Sequence, residues 1–240
     1  LRDQLFENTP QFVGCFFLCY ILRMSKLNDI KFRIKAAALS VNRDPESINL
    51  IAVSKRQKVS KIVDLINEGH LNFGENQIQE ITGKWQEVSN YRDKINLNFI
   101  GSIQSKKTEE ILKLCDTIHS IDREKIVKQI STSKYKDKKF FFVQVNIGSE
   151  LQKSGVSPQD IDSFLNMCNI NYNIPITGLM CIPPDNDDPV PYFLKMKEIA
   201  ERNNIKNLSM GMSNDFEKAI QCGATHIRLG TILFGERINR

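Results

Sequence analysis

A lysine that follows directly on an apolar, β-rich run is a candidate covalent anchor, and Lys55 follows Ile48 to Ser54 in phase with Ile51 and Val53. At the inner face of a strand end its amine is partly desolvated, which lowers its pKa and frees it for a Schiff base with an aldehyde. The plain alternative is a lysine that starts a loop, and position alone favours that alternative. A second run ends in Gly74-Glu75-Asn76, where the glycine permits close backbone approach and Glu75 and Asn76 offer polar contacts near a cleft; Asn76 also suits a helix N-cap. Further on, Ser209-Met210-Gly211-Met212-Ser213-Asn214 reads as a small, hydroxyl-rich turn whose N–H groups could cradle a phosphate, or simply as a capped turn. In Arg228-Leu229-Gly230-Thr231, Arg228 interrupts an apolar strand in phase with Gly230, and a buried arginine requires an acidic or other acceptor group beside it. Taken together, these groups point to a small phosphorylated ligand.

Such groups act together only if the fold gathers the ends of their runs. Short β-rich runs at 48–54, 71–74, 97–101, 117–121, 140–146, 176–182, 208–211 and 227–230 alternate with helical patterns, after a leading amphipathic helix from Leu27 to Ser40. Ser157, Pro158 and Asp160 mark one helix start, and Asn214 with Glu217 forms a capping-box pattern at another. Eight strands in this length predict a single (β/α)₈ TIM-type barrel with an extra N-terminal helix. An open doubly wound sheet is the alternative, but it leaves edge strands and normally uses fewer strands. In a barrel the phosphate site falls in the loops after strands seven and eight, where both candidate turns lie.

Bulk properties exclude several classes. The chain has 240 residues, 41% hydrophobic and 25% charged, which accommodates one large compact domain and no second one. A net charge of +5, spread along the chain, gives no nucleic-acid footprint. The run from Lys134 to Lys139 includes Asp137 and reads as a solvated loop. Six cysteines without a Cys-x-x-Cys pair, and three histidines, give no zinc spacing, so no metal is expected and a reduced, cytosolic setting fits.

Gln11 to Leu22 is mostly apolar but too short to span a bilayer, and Arg2 is offset by Asp3 and Glu7, so neither a membrane span nor a signal peptide is expected. Met24-Ser25 before a helical pattern looks like an ordinary start. Residues 1–23 are therefore expected to be an extension outside the fold, and residues 24–240 to form the barrel.

From about Met24 to Arg237 the chain resembles the pyridoxal phosphate homeostasis family, also called the proline synthase co-transcribed family, whose fold is like the barrel domain of alanine racemase. Ala52-Val53-Ser54-Lys55, Asn72-Phe73-Gly74-Glu75-Asn76, Phe99-Ile100-Gly101, Gln104-Ser105 and His119-Ser120-Ile121-Asp122 carry the likeness. So do Gln144-Val145-Asn146, Lys153-Ser154-Gly155, Gly178-Leu179-Met180, Ser209 to Asn214, Arg228 to Thr231 and Phe234-Gly235. The resemblance implies pyridoxal 5′-phosphate (PLP) as cofactor, held as an internal aldimine on Lys55, with Arg228 facing the pyridine nitrogen. It also implies that Ser209, Ser213, Gly230 and Thr231 hold the phosphate and that Asn76 contacts the ring. Three positions depart from the family pattern: Asn98 and Ser102 stand where it usually has His, and Lys106 where it has Asn.

An arginine opposite the pyridine nitrogen disfavours its protonation and leaves a weak electron sink, so a carrier or regulator of PLP is expected, with no catalytic residue. The related racemases also use a tyrosine from an additional C-terminal domain, whereas nine residues follow Thr231 here. Tyr192 is the one tyrosine imaginable near the barrel mouth, with packing as its expected role. PLP-accepting apo-enzymes are the implied partners and a monomer is expected. Two competitors stand beside this reading: a PLP-dependent amino-acid racemase or lyase with weak activity, and a barrel enzyme acting on a phosphorylated substrate without PLP, in which Lys55 is a general base or phosphate contact.

Overall fold

A computed structural model describes residues 25–235; the expected extension at residues 1–23 lies outside the described residues, as do residues 236–240. Helix α1 (Lys26–Leu39) comes first, as the amphipathic pattern predicts. Ser25 caps it, its hydroxyl accepting from the Asn28 N–H at 3.2 Å, and Leu27, Ile30, Ile34, Ala37 and Ala38 form its buried stripe. Eight parallel strands follow: β1 (Asn49–Val53), β2 (Asn72–Glu75), β3 (Asn96–Phe99), β4 (Thr117–Ile121), β5 (Phe140–Val145), β6 (Gly178–Cys181), β7 (Asn207–Ser209) and β8 (His226–Leu229). Each pairs with the next, and β8 returns to β1 with Ile51 beside Arg228, so the barrel is closed and the open sheet is excluded.

The outer layer is α2 (Val59–Asn67), α3 (Ile78–Glu87), α4 (Thr108–Leu114), α5 (Glu124–Thr132), α6 (Ile161–Ile170), α7 (Val190–Arg202), α8 (Phe216–Gln221) and the short α9 (Thr231–Phe234). Two helix starts differ from their sequence signals. Ser157 and Asp160 do bond each other, the Asp160 N–H to the Ser157 hydroxyl at 3.2 Å, but in a turn ahead of α6. The capping box at Asn214 and Glu217 does not form. Asp215 occupies the N-cap position of α8 and Glu217 turns to Arg33 of α1, whose guanidinium lies 2.6 Å from it and 4.8 Å over the Phe216 ring. This tertiary pair, which also has a cation–π contact, outcompetes a local cap. Among the described residues, no helix is long and apolar enough to cross a membrane.

Alternation along the strands separates two cores. Leu50, Ala52, Phe73, Leu97, Phe99, Ile118, Phe141, Val143, Leu179, Leu208, Ile227 and Leu229 pack outward among the helices. The buried thiols of Cys115, Cys168 and Cys181 also belong to this layer, where burial pushes each up to about 12 and leaves it inert. Inside the barrel the filling is unusually polar. Asn98 donates to Asn72 Oδ1 at 2.7 Å and to the Phe73 carbonyl at 2.8 Å, and its Oδ1 lies 3.0 Å from His119 Nε2. The His119 ring stacks on Phe142 with centroids 4.3 Å apart, and Phe142 meets His226 edge-on at 5.2 Å. Gly178 makes this possible, because a Cβ there would lie 2.2 Å from the Phe142 ring. The departure at Asn98 is thus a barrel-interior hydrogen-bonding position.

This filling sets a pH limit on stability. Burial pulls His119 well below its ordinary value, and burial reinforced by Arg228 pulls His226 from 6.5 to about 4. Both are neutral in the folded chain and protonate on unfolding below pH 6.5, so stability present at neutral pH is lost as the pH falls from 6.5 towards 4. For His226 the loss amounts to about 3 kcal/mol. Urea unfolding at pH 7 and pH 4.5 should show this decline, and His226→Asn should flatten it; an equally steep decline in the variant would refute the assignment.

Candidate functional site

A cavity of about 820 Å³ opens at the C-terminal ends of the strands. Val53 and Lys55 reach it from β1, Asn76 from β2, Ile100 to Ser102 from β3 and Gln144 from β5. The β6 loop contributes Ile182 to Asp185 and Asp187, the β7 turn Met212 to Asp215, and β8 contributes Arg228, Gly230 and Thr231. The structure therefore gathers Lys55, Asn76, Ser213, Arg228, Gly230 and Thr231 around one space, although they are spread over most of the sequence.

Lys55 stands in a tight turn in which the Gln57 N–H bonds the Ser54 carbonyl at 3.1 Å, with Arg56 in the left-handed region at φ 57°. The period of two that turns Val53 and Lys55 into the cavity turns Ser54 and Glu75 away from it. Glu75, read from sequence as a cleft residue, is instead fully buried behind the wall. There its Oε1 accepts from Ser54 Oγ at 2.6 Å and Trp85 Nε1 at 3.3 Å and lies 2.7 Å from Lys84 Nζ. Burial raises its pKa, opposed by Lys84.

Arg228 forms part of the inner floor and is only 5% exposed. Its Nη1 donates to Ser209 Oγ at 2.8 Å and its Nη2 to the Cys181 carbonyl at 2.9 Å. The partner that a buried arginine requires is thus a pair of neutral hydrogen-bond acceptors; among the described residues no carboxylate makes an ion pair with it, although burial lowers its pKa and the charge of Asp215 opposes that lowering through space. Ser209 needs a correction: it does not line the cavity, is fully buried, and has its hydroxyl committed to the guanidinium. It lies on β7 itself, four residues before the Ser213 turn.

At the two turns expected to take a phosphate, the backbone N–H groups of Ser213, Asn214, Thr231 and Ile232 donate to no acceptor among the described residues. The turn after β7 is closed by Asp215, whose Oδ1 accepts from the Met212 N–H at 2.6 Å. Asn76 Oδ1 is buried and unpartnered beside the cavity. Next to it the chain is pressed tightly together, since a Cβ at Gly101 would lie 2.0 Å from the Asn76 carbonyl oxygen. Ser102 also lines the space, whereas Lys106 is exposed in a short turn at Ser105–Lys107.

Sequence reasoning gave no site role to Gln57, Gln144, Lys218 and the Ile182–Asp187 segment. Gln144 had a usable signal: a polar residue in inward phase with Phe142 in an apolar strand. The Ile182–Asp187 segment has none, because its place depends on the neighbouring loop, whose Lys153 Nζ bonds the Pro183 carbonyl at 3.2 Å. Tyr192 does stand near this lip, but its hydroxyl donates to Asp187 at 2.7 Å, and that bond raises its pKa. Among the described residues no group of three His, Cys, Asp or Glu side chains is placed to hold a metal.

Comparison with known proteins shows which family the chain is similar to. The family described as alanine racemase, N-terminal domain, matches residues 30–238. The pyridoxal phosphate homeostasis protein of Pseudomonas aeruginosa is 37% identical over 212 residues, 85% of this chain and 91% of that protein. The protein of the same name from Vibrio cholerae is 34% identical, over 88% of this chain and 94% of its own. Among solved structures, PipY of Synechococcus elongatus with PLP bound superposes with a TM-score of 0.70 at 28% identity, covering 85% of this chain and 99% of that one.

Proposed function

Because the chain belongs to the pyridoxal phosphate homeostasis protein family, we propose that its cavity holds PLP on Lys55 and that the protein carries or buffers the cofactor rather than turning over a substrate with it. The observation that carries this reading is that Lys55 and Arg228 line one cavity, the arginine hydrogen-bonded to neutral acceptors among the described residues, with the Asp215 carboxylate acting on it only through space. The remaining residues fit the same group. Ser213 and Thr231, with the uncommitted N–H groups of their turns, supply donors for a phosphate, and Asn76 Oδ1 is an acceptor waiting for a ring substituent. Ser209 serves by orienting Arg228, and Gly230 by leaving the turn open.

When bound, PLP supplies an aldehyde carbon that condenses with a primary amine. Lys55 offers that amine at the inner face of β1. Arg228 would be the group facing the pyridine nitrogen of a bound PLP; a guanidinium that keeps its proton would leave that nitrogen unprotonated and the ring a weak electron sink. A racemase or lyase would need a second proton-transfer group, and the Tyr192 hydroxyl is tied to Asp187. The protein acts as a cytosolic monomer and hands PLP to apo-enzymes.

Two measurements test this. Titration with PLP should raise a visible absorption band, and borohydride should fix the ligand to the peptide containing Lys55. The loaded protein, incubated with alanine in deuterium oxide, should then exchange the α-hydrogen no faster than free PLP does. Catalytic exchange would favour the racemase reading; no band at all would favour an enzyme using a phosphorylated substrate without PLP.

A further inference from the structure

Behind the wall that carries Lys55 lies an ion cluster that the cavity does not use. Lys84, on α3, has its side chain only 10% exposed, and its Nζ lies 2.6 Å from the Ser54 carbonyl, 2.7 Å from Glu75 Oε1 and 2.7 Å from Glu80 Oε2. Three acceptors match the three N–H bonds of an ammonium. Glu80 Oε2 also accepts from the Arg56 N–H at 2.6 Å, and Glu75 Oε1 accepts from the Ser54 hydroxyl. The residues on either side of Lys55 are therefore both held from outside the barrel, one at its carbonyl and hydroxyl, the other at its N–H.

We infer that Lys84, together with Glu80, is a positioning residue for Lys55: the cluster fixes the Ser54–Gln57 turn so that the Lys55 amine is presented to the cavity. This rests on the reading of Lys55 as the PLP anchor. The barrel wall does not need a buried ion pair, because apolar residues of similar volume pack as well or better. Apolar residues, however, cannot bond the Ser54 carbonyl or the Arg56 N–H. Arg56 also sits at φ 57°, a conformation that a non-glycine residue keeps only where its surroundings impose it. The Glu80 bond to its N–H at 2.6 Å, beside the Gln57 N–H bond to the Ser54 carbonyl, holds it in that conformation.

The test uses the full chain, PLP as probe, and two readouts: affinity from the visible band, and the fraction of Lys55 fixed by borohydride. Lys84→Met should bind PLP at least roughly tenfold more weakly, the scale on which outer-sphere partners act at other built sites. Glu80→Ala should also weaken binding, whereas Glu80→Gln, which keeps an acceptor for the Arg56 N–H, should stay near wild type. Arg92→Met is the control for stability alone: Arg92 pairs with Asp116 at 2.9 Å at the opposite end of the barrel, and its loss should lower the urea midpoint without changing PLP affinity. Wild-type affinity in both Lys84→Met and Glu80→Ala, or losses no greater than in Arg92→Met, would overturn the inference. If Lys84→Met fails to fold, the two Glu80 variants decide it. A wild-type chain that forms no band removes the Lys55 reading itself, and the inference with it.

Discussion

Lys55→Ala should abolish the visible band and weaken PLP binding by about a hundredfold or more, ~2.7 kcal/mol. On the proposed function, what remains in that variant would be the non-covalent part of the site, the hydroxyls of Ser213 and Thr231, the N–H groups of their turns and Arg228, which could hold a phosphate and a ring but could not bond the aldehyde carbon. Lys55→Arg should fail in the same way, because a guanidinium stays protonated and does not condense with an aldehyde under these conditions. The fold should survive both changes. Lys55 lies in a turn after β1 and the surrounding wall is held by other residues, so the urea midpoint should stay close to that of the wild type. A band that persists in Lys55→Ala, with borohydride labelling Lys218, the other lysine lining the cavity among the described residues, would show that the wrong amine had been chosen.

Gly101→Ala should be the most damaging single methyl group at the site. The added Cβ would lie 2.0 Å from the Asn76 carbonyl oxygen and 2.7 Å from the Asn76 carbonyl carbon and Cα, all backbone atoms that no rotamer change can move aside. The end of β2 and the loop after β3 must separate, at a cost of about 3 kcal/mol. Asn76 then shifts, so PLP affinity should fall together with the urea midpoint. Gly83→Ala provides the contrast. Gly83 is on the exposed side of α3 with nothing within 4 Å of its added Cβ, and the same change there should raise stability by about 1 kcal/mol. Equal urea midpoints for Gly101→Ala and the wild type would mean that the two loops do not approach as closely as described.

The architecture was legible because its signals are local and repeat. Each apolar run ends at a turn, and counting eight of them leaves barrel closure as the economical solution. The inward placing of Lys55 and Arg228 was legible for a related reason, since a charged residue in phase with the inner face of an apolar strand is visible in the sequence; position alone did not single out Lys55 as an anchor, a role that only the family resemblance implies. Glu75 and Ser209 show where that reasoning was applied too loosely. Both lie near strand ends among polar residues, but Glu75 is one position out of phase with Gly74 and Asn76, and Ser209 lies below the turn, so one goes behind the wall and the other under the guanidinium. Glu217 could not have been placed from sequence at all. Its local pattern favours a cap, and only the docking of α1 brings Arg33 within reach. The Ile182–Asp187 lip was equally hidden, since it depends on contact between two loops.

The interior of the barrel has a consequence for exchange of the cofactor. His119, Phe142, His226 and Asn98 close the space beneath Arg228, and Phe142 can lie across it because Gly178 has no side chain. Among the described residues, the cavity opens at the face built by the strand ends and their loops, away from this closed interior. On the proposed function, a donor of PLP and a recipient would compete for that opening, so loading and delivery would be sequential events. An apo-enzyme bound over the lip of a loaded protein would shield the ligand from free amines in solution while the transfer takes place.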